Sequence, residues 1–189
     1  MQIPVVGFDP SLKNWGIAEA HLDLDTGILT TPKLSLVQPR DDDGKKKVRK
    51  NSLDLQRAEE LAAGIQSAVT RAKVVFVEVP HGSQSARAMA SYGICIGVLG
   101  SVRASGVPII EVSANENKQN FVGSKTATKQ QMIETARNYY PHANWPMHGG
   151  KISEAKAEHM ADAIAAIHSG VQTPMFQNLM RLFKATTQE

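Results

Sequence analysis

Residues 1–37 read MQIPVVGFDPSLKNWGIAEAHLDLDTGILTTPKLSLV, and this stretch predicts three consecutive β-strands. Ile3 to Phe8 is a short apolar run, Trp15 to Leu22 alternates in part, and Gly27 to Val37 contains β-branched residues. The turn signal DLDTG at residues 23–27 separates the last two segments, so we expect them to pair as an antiparallel hairpin.

The rest of the chain alternates between helical and strand patterns. Two nearly continuous apolar runs, Val74 to Val79 (VVFVEV) and Val107 to Val112, are typical of strands buried on both faces. Apolar residues at helical spacing predict helices at residues 52–72, 83–105, 128–139, 153–168 and 174–184. This order predicts an α/β protein of the ribonuclease-H-like class, with a mixed five-stranded sheet and helices on both faces.

Composition excludes several classes of protein. Of the 189 residues, 42% are hydrophobic and 21% are charged, which excludes a disordered chain. A single cysteine, Cys95, excludes a disulfide framework and a multi-cysteine zinc site. The sequence has no apolar run of about eighteen residues and no signal-peptide pattern at its start, so we expect no membrane association. We therefore expect a soluble, cytoplasmic protein.

The positive charge of the chain is concentrated in one segment. Residues 40–50, RDDDGKKKVRK, contain six basic and three acidic residues, which accounts for the whole net charge of +3. A solvated loop is one interpretation of this run. The other is a nucleic-acid contact, in which phosphates are neutralised by Lys45, Lys46, Lys47, Arg49 and Lys50.

Acidic residues occur where burial makes them costly. Asp9 ends the first strand, Glu78 interrupts VVFVEV, and Asp162 lies on the predicted helix EHMADAIAAIH, three residues after His159. Taken singly, Asp9 fits a turn or cap residue and Glu78 fits a member of a buried ion pair. His159 and Asp162 fit an exposed helix face. Taken together, their oxygen-rich donor set suits Mg²⁺ or Mn²⁺. Two such ions can activate water and stabilise the leaving oxygen of a phosphodiester.

Lysines are concentrated in SANENKQNFVGSKTATKQQM, residues 113–132. Lys129 lies in the first turn of a predicted helix, where the helix dipole disfavours a cation. A phosphate partner would explain its position, as would exposure to solvent. Lys118 and Lys125 lie in the same stretch.

Four segments, in the same order, resemble the motifs of the RuvC-type Holliday-junction resolvases, and we expect a member of the diverged bacteriophage type. The opening GFDPSLKNWGIA resembles the first motif, and VFVEVP resembles the strand that carries the glutamate of the family. Residues 113–132 resemble the lysine-bearing segment, and EHMADAIAAIH resembles the final metal-binding helix. The resemblance extends from Gln2 to His168.

The resemblance implies a RuvC-like nuclease domain at residues 1–170. The tail at residues 171–189 has no match in the family, and the helical spacing of its apolar residues predicts an amphipathic helix packed on that domain. The resemblance also implies an Mg²⁺-dependent endonuclease, active with Mn²⁺ as well, that cuts four-way junctions as a homodimer in a bacterial or phage-infected cell. Two ions per site would be held by Asp9, Glu78, His159 and Asp162. As catalytic residues, Lys118 and Lys129 would contact the scissile phosphate or stabilise developing charge. Lys125 has no clear counterpart in the family and is predicted only as a nucleic-acid contact.

Some features depart from the family pattern. Where the family has a bulky residue after the glutamate, this chain has Pro80, His81 and Gly82, and His81 is predicted either to stack on a base or to be a polar loop residue. The basic run at residues 40–50 is longer than the family pattern. Both features favour a less strict branched-DNA enzyme. The alternatives are a junction-binding protein without turnover and a ribonuclease-H-like nuclease with another substrate.

Small residues recur along the predicted helix at residues 83–105. Tight packing of this stripe on the sheet of its own domain is the favoured interpretation, and a contact between two copies of the chain is the alternative. Cys95, on the same helix, is predicted to be a small buried hydrophobe. The stripe consists of Ala86, Ala90, Gly93, Gly97 and Gly100.

Overall fold

The structure is a computed structural model that describes residues 1–40 and 49–186, with the side chains of residues 184–186 left out. The strands are β1 (Gln2–Asp9), β2 (Trp15–Asp23), β3 (Lys33–Val37), β4 (Val74–Glu78), β5 (Ile109–Val112), β6 (Met147–His148) and β7 (Lys151–Ile152). The helices are α1 (Lys50–Arg71), α2 (Ala86–Ala104), α3 (Ala114–Val122), α4 (Lys129–Tyr139), α5 (Glu154–Gly170) and α6 (Pro174–Thr186). None of the described helices has the length and apolar character needed to cross a bilayer.

The main sheet has five strands in the order β3-β2-β1-β4-β5. β1 to β3 form the predicted antiparallel meander, and β4 and β5 run parallel to β1. Phe8 pairs with Val77, so Asp9 and Glu78 are the next residues along two neighbouring parallel strands. The carboxyl ends of these strands therefore bring both acidic residues to one edge of the sheet, where open α/β sheets bind ligands.

Helices cover both faces of the sheet, which confirms the predicted fold class. One core cluster joins the sheet to α3, α4, α5 and α6, and the other joins it to α1 and α2. Phe176 of α6 is buried, and its ring centroid lies 5.2 Å from that of Phe76 in β4. The division into residues 1–170 and a tail stays a prediction.

α5 lies unusually close to the sheet because both surfaces carry small residues. A Cβ atom at Gly7 would overlap the carbonyl oxygen of Ala163, and one at Gly16 would overlap that of His159. On the helix itself, alanines fill the buried face: Ala157, Ala161, Ala163, Ala165 and Ala166. This close approach places His159 beside the end of β1.

Several local predictions need correction. α3 was missing from the sequence-based pattern, although Ser113 and Glu116 form a capping box at its start. β3 begins at Lys33, so residues 27–32 contribute only one isolated bridge, from Leu29 to Leu22. The β6–β7 hairpin has two residues in each strand, which is too short for a periodic signal.

The predicted packing of the small-residue stripe on the sheet is wrong. A Cβ atom at Gly93, Gly97 or Gly100 would meet none of the described residues within 4 Å, so this side of α2 faces away from the sheet. α2 packs through a different face, which consists of Cys95, Val98, Leu99 and Val102. Cys95 is fully buried, as predicted.

Candidate active site

Asp9 and His159 form a hydrogen-bonded pair at the carboxyl edge of the sheet. Nδ1 of His159 lies 2.6 Å from Oδ2 of Asp9, and the two side chains are 20% and 16% exposed. Burial disfavours the charged imidazole, but the hydrogen bond and the negative charge of Asp9 outweigh it and raise the pKa of His159. The imidazole is therefore held in a fixed orientation beside the carboxylate.

Glu78 and Asp162 bring two more carboxyl groups to the same place. Burial, followed by the charge of Asp9, raises the pKa of Glu78 above its usual range. Burial and the charges of Asp9 and Glu78 raise the pKa of Asp162 well above its ordinary value. Three carboxyl groups from β1, β4 and α5 thus lie close enough to oppose one another's ionisation.

Asn117 of α3 is a member of this cluster that sequence reasoning missed. Its side chain is fully buried, and Nδ2 donates a hydrogen bond to Oε2 of Glu78 over 2.6 Å. Within the part of the chain that the structure describes, its Oδ1 atom has no hydrogen-bond partner. Asn117 lies one helical turn before Phe121 and therefore on the same buried face. This spacing could have identified Asn117 only after α3 had been predicted as a helix.

The three predicted lysines have different surroundings. The positive charge of Lys118 lowers the pKa of both Glu78 and Asp162, which places it electrostatically close to the carboxyl groups. Lys125 is exposed between α3 and α4. Nζ of Lys129 lies 2.7 Å from Oε1 of Glu158, and this contact raises the pKa of Lys129.

Glu158 is the second residue that sequence reasoning missed. It lies one helical turn before Asp162 on α5, and its side chain is 22% exposed. The signal was present in the sequence, because residues four apart share a helix face. Glu158 is the partner of Lys129 at the start of α4. The sequence had suggested a phosphate or solvent in that place.

The remaining predicted residues surround the acidic cluster only in part. His81 is exposed in the connection from β4 to α2, and its charge acts on the carboxyl group of Glu78. Arg49 is the N-cap residue of α1 and Lys50 is the first residue of that helix, so both lie at the start of a helix. Three predicted nucleic-acid contacts lie outside the described residues: Lys45, Lys46 and Lys47.

The donor chemistry of the cluster fits a divalent cation. In residues 1–40 and 49–186, no three His, Cys, Asp or Glu side chains form a ready-made metal cage. Asp9 and His159 instead face each other, while Glu78 and Asp162 are both half-buried and carry like charges that disfavour each other's ionisation. Carboxylate oxygens with one imidazole suit Mg²⁺ or Mn²⁺, and a cation would relieve this repulsion. Asn117 lies beside this cluster through its hydrogen bond to Glu78, and no described residue donates a hydrogen bond to its buried Oδ1 atom.

Comparisons with known proteins give matches at the level of structure. No protein-family model and no curated protein sequence matches the chain. The solved structure of T. thermophilus RuvC in complex with Holliday junction substrate aligns with a TM-score of 0.61 and 17% identity, over 86% of this chain and 92% of that chain. A second Thermus thermophilus RuvC structure aligns with a TM-score of 0.61 and 19% identity, over 89% of this chain and 92% of that one. The chain therefore has a RuvC-like fold of the ribonuclease-H-like class.

Proposed function

We propose that this protein is a metal-dependent endonuclease that cuts four-way DNA junctions and other branched DNA. The observation that carries the proposal is the meeting of Asp9, Glu78, His159 and Asp162 at one edge of the sheet. A RuvC-like fold supports it, since the RuvC structure with the same fold holds a Holliday junction substrate. The assignment to bacteriophage-type members stays a prediction.

The four residues of the cluster would hold two Mg²⁺ ions. When bound, the ions supply a water of lowered pKa and stabilise the leaving oxygen. Asp9 orients the imidazole of His159 through Nδ1, which leaves Nε2 as the ring nitrogen for a metal or a proton. Cleavage would leave 5′-phosphate and 3′-hydroxyl ends.

Basic side chains around the cluster would bind the DNA backbone. Lys118 is close enough to neutralise charge at the carboxyl groups, and Lys129 can reach a phosphate by leaving Glu158. Exposed cations contribute affinity through counterion release, which is independent of sequence. We include in this surface Lys45, Lys46, Lys47, Arg49, Lys50, His81 and Lys125.

The outward side of α2 supports a homodimer. It exposes Met89 (45%) and Ile96 (49%) beside Gly93, Gly97 and Gly100, and we refer to these five residues as the α2 face. Glycines remove the side chains that would separate two helices, and a two-fold contact presents the same face twice. Two copies would carry two active sites, one for each of two opposing strands.

Cleavage of labelled substrates tests the function. The substrates are a four-way junction, a flap, an RNA–DNA hybrid and a plain duplex, each incubated with Mg²⁺, Mn²⁺ or EDTA. We expect paired symmetric nicks in the junction that disappear with EDTA and in Asp9→Asn, because the variant removes a metal-binding carboxylate.

Other outcomes separate the alternatives. Equal cutting of all branched forms would retain the chemistry without four-way specificity, and cutting of the hybrid alone would indicate another ribonuclease-H-like nuclease. Tight junction binding without any cutting would contradict the enzyme and favour a binding protein. Cutting by Asp9→Asn at low metal concentration would contradict the assigned site.

A further inference from the structure

Asn117 contacts the acidic cluster from a helix that holds it rigidly. α3 begins at a capping box formed by Ser113 and Glu116 and ends at Gly123, whose φ of 88° suits glycine. Asn117 lies between these ends and is fully buried beside Glu78. A fully buried side chain on a capped helix has few alternative rotamers, so its amide has a fixed position.

The contact orients one oxygen of a carboxylate and leaves the other available. Nδ2 of Asn117 donates to Oε2 of Glu78 over 2.6 Å, which is a short hydrogen bond to an acidic group. Glu78 ends β4, so its side chain is held by the sheet at the backbone and by Asn117 at the carboxyl group. A carboxyl group held in this way can meet a cation without first losing rotational freedom.

The side-chain amide of Asn117 is unfavourable for the stability of the fold. Oδ1 of Asn117 is buried, and no described residue gives it a hydrogen bond. An unsatisfied buried polar atom lowers the free energy of unfolding. An apolar side chain would avoid this cost but would lack the N–H group that contacts Glu78.

We propose that Asn117 is a positioning residue that fixes the carboxyl group of Glu78 for divalent-metal binding. The inference rests on the proposed function, because it concerns the same metal site. Asn117 acts through Glu78 and does not contact the reacting phosphate. Residues that orient metal ligands in this way typically contribute a factor of about 10–100 in metal affinity.

The test measures Mn²⁺ binding by the whole chain without DNA. Asn117→Ala removes the amide, and Asn117→Leu replaces it with a branched apolar side chain of the same number of heavy atoms. We expect both variants to fold and to bind Mn²⁺ about 10–100-fold more weakly by calorimetric titration. Junction cleavage should recover toward the rate of the unaltered chain at saturating Mn²⁺, because the variants weaken metal binding rather than turnover.

Asn120→Ala is the matched control, since Asn120 is exposed on the same helix. It should leave Mn²⁺ affinity unchanged. A folded Asn117 variant with Mn²⁺ affinity within about twofold of the unaltered chain would overturn the proposal. Loss of the fold in both variants would also overturn it, because the amide would then serve the structure rather than the ligand.

Failure of the proposed function gives a different result. An unaltered chain that binds Mn²⁺ but cuts none of the four substrates would contradict the nuclease, while the effect of Asn117 on Mn²⁺ affinity would still stand. An unaltered chain that does not bind Mn²⁺ would contradict both. Weaker Mn²⁺ binding in the Asn117 variants, but not in Asn120→Ala, supports the positioning role independently of whether the chain cuts DNA.

Discussion

Glu158 and Lys129 form an ion pair that bears on the proposed role of Lys129 in binding phosphate. Their side chains meet over 2.7 Å, and the Lys129 side chain is 76% exposed. Ion pairs this exposed contribute only about 0–1 kcal/mol, so a phosphate can replace the carboxylate at little cost. Under the proposed function, Glu158 would hold Lys129 near the site without preventing its transfer to a DNA phosphate.

The variant Glu158→Gln tests this exchange. It removes the competing negative charge, so we expect junction binding in EDTA to become about two- to fivefold tighter, as a pair of 0.4–1 kcal/mol implies. Glu154→Gln, on the exposed first turn of the same helix, is the control for a general loss of negative charge. Equal tightening in both variants, or none in Glu158→Gln, would show that the ion pair does not compete with DNA.

α5 is the element that joins the candidate site to the core. Its middle places His159 and Asp162 at the carboxyl edge of the sheet, and its last turn places His168 in an aromatic cluster. Nε2 of His168 lies 2.8 Å from the hydroxyl of Tyr140, and its ring stacks on Tyr139 at 5.5 Å. The same helix therefore has a charged site and a half-buried, neutral histidine about two turns apart.

Stability should depend on pH through His168. Burial lowers its pKa from 6.5 to about 4, so the folded chain keeps the ring neutral while the unfolded chain protonates near 6.5. Protons then favour the unfolded chain, and the free energy of unfolding falls as the pH drops from 6.5 toward 4. At about 1.36 kcal/mol per pKa unit, the loss from this residue reaches at most about 3 kcal/mol.

Denaturant titrations between pH 7 and pH 4 measure the effect. His168→Gln should be less stable than the unaltered chain at pH 7, and the difference should shrink toward pH 4. His142→Gln, at an exposed position, should keep a constant difference. A pH-independent difference for His168→Gln would contradict the neutral buried state.

At the scale of the whole molecule, α2 exposes apolar side chains on its side away from the sheet. α2 packs on the sheet through Cys95 and its neighbours, which leaves the α2 face in solvent. Contiguous exposed apolar surface of this kind marks sites of association. A junction-cutting enzyme has a use for a two-fold contact, because it must act on two strands.

Ile96→Glu tests the dimer. A charge at the centre of a two-fold contact is duplicated by symmetry, so we expect a monomer by sedimentation and at least a tenfold loss of paired nicking, about 1.4 kcal/mol. Ile28→Glu is the control, since Ile28 is also exposed but lies in the turn after β2. A monomeric unaltered chain, or a dimer that persists in Ile96→Glu, would contradict the α2 face as the contact.

The sequence by itself determined the order of the five strands of the main sheet and of five of the six described helices, together with four residues of the acidic cluster. Strand and helix signals are local, since they depend on spacings of two or about four residues. Asp9 and Glu78 were conspicuous because a carboxylate at the end of a buried-type strand is costly without a partner. These properties can be recognised before any distant residues meet.

Only the tertiary structure decided which residues face one another across distant segments. Asn117 is 39 positions from Glu78, and Glu158 is 29 positions from Lys129, so no periodicity relates the members of either pair. Gly97 faces outward because α2 packs on the sheet through the side that carries Cys95 and Val98. The glycine side of the helix also has side chains small enough for close packing, so the sequence alone did not decide between the two sides. Side-chain partners follow from the packing of whole elements, whereas the elements follow from local patterns.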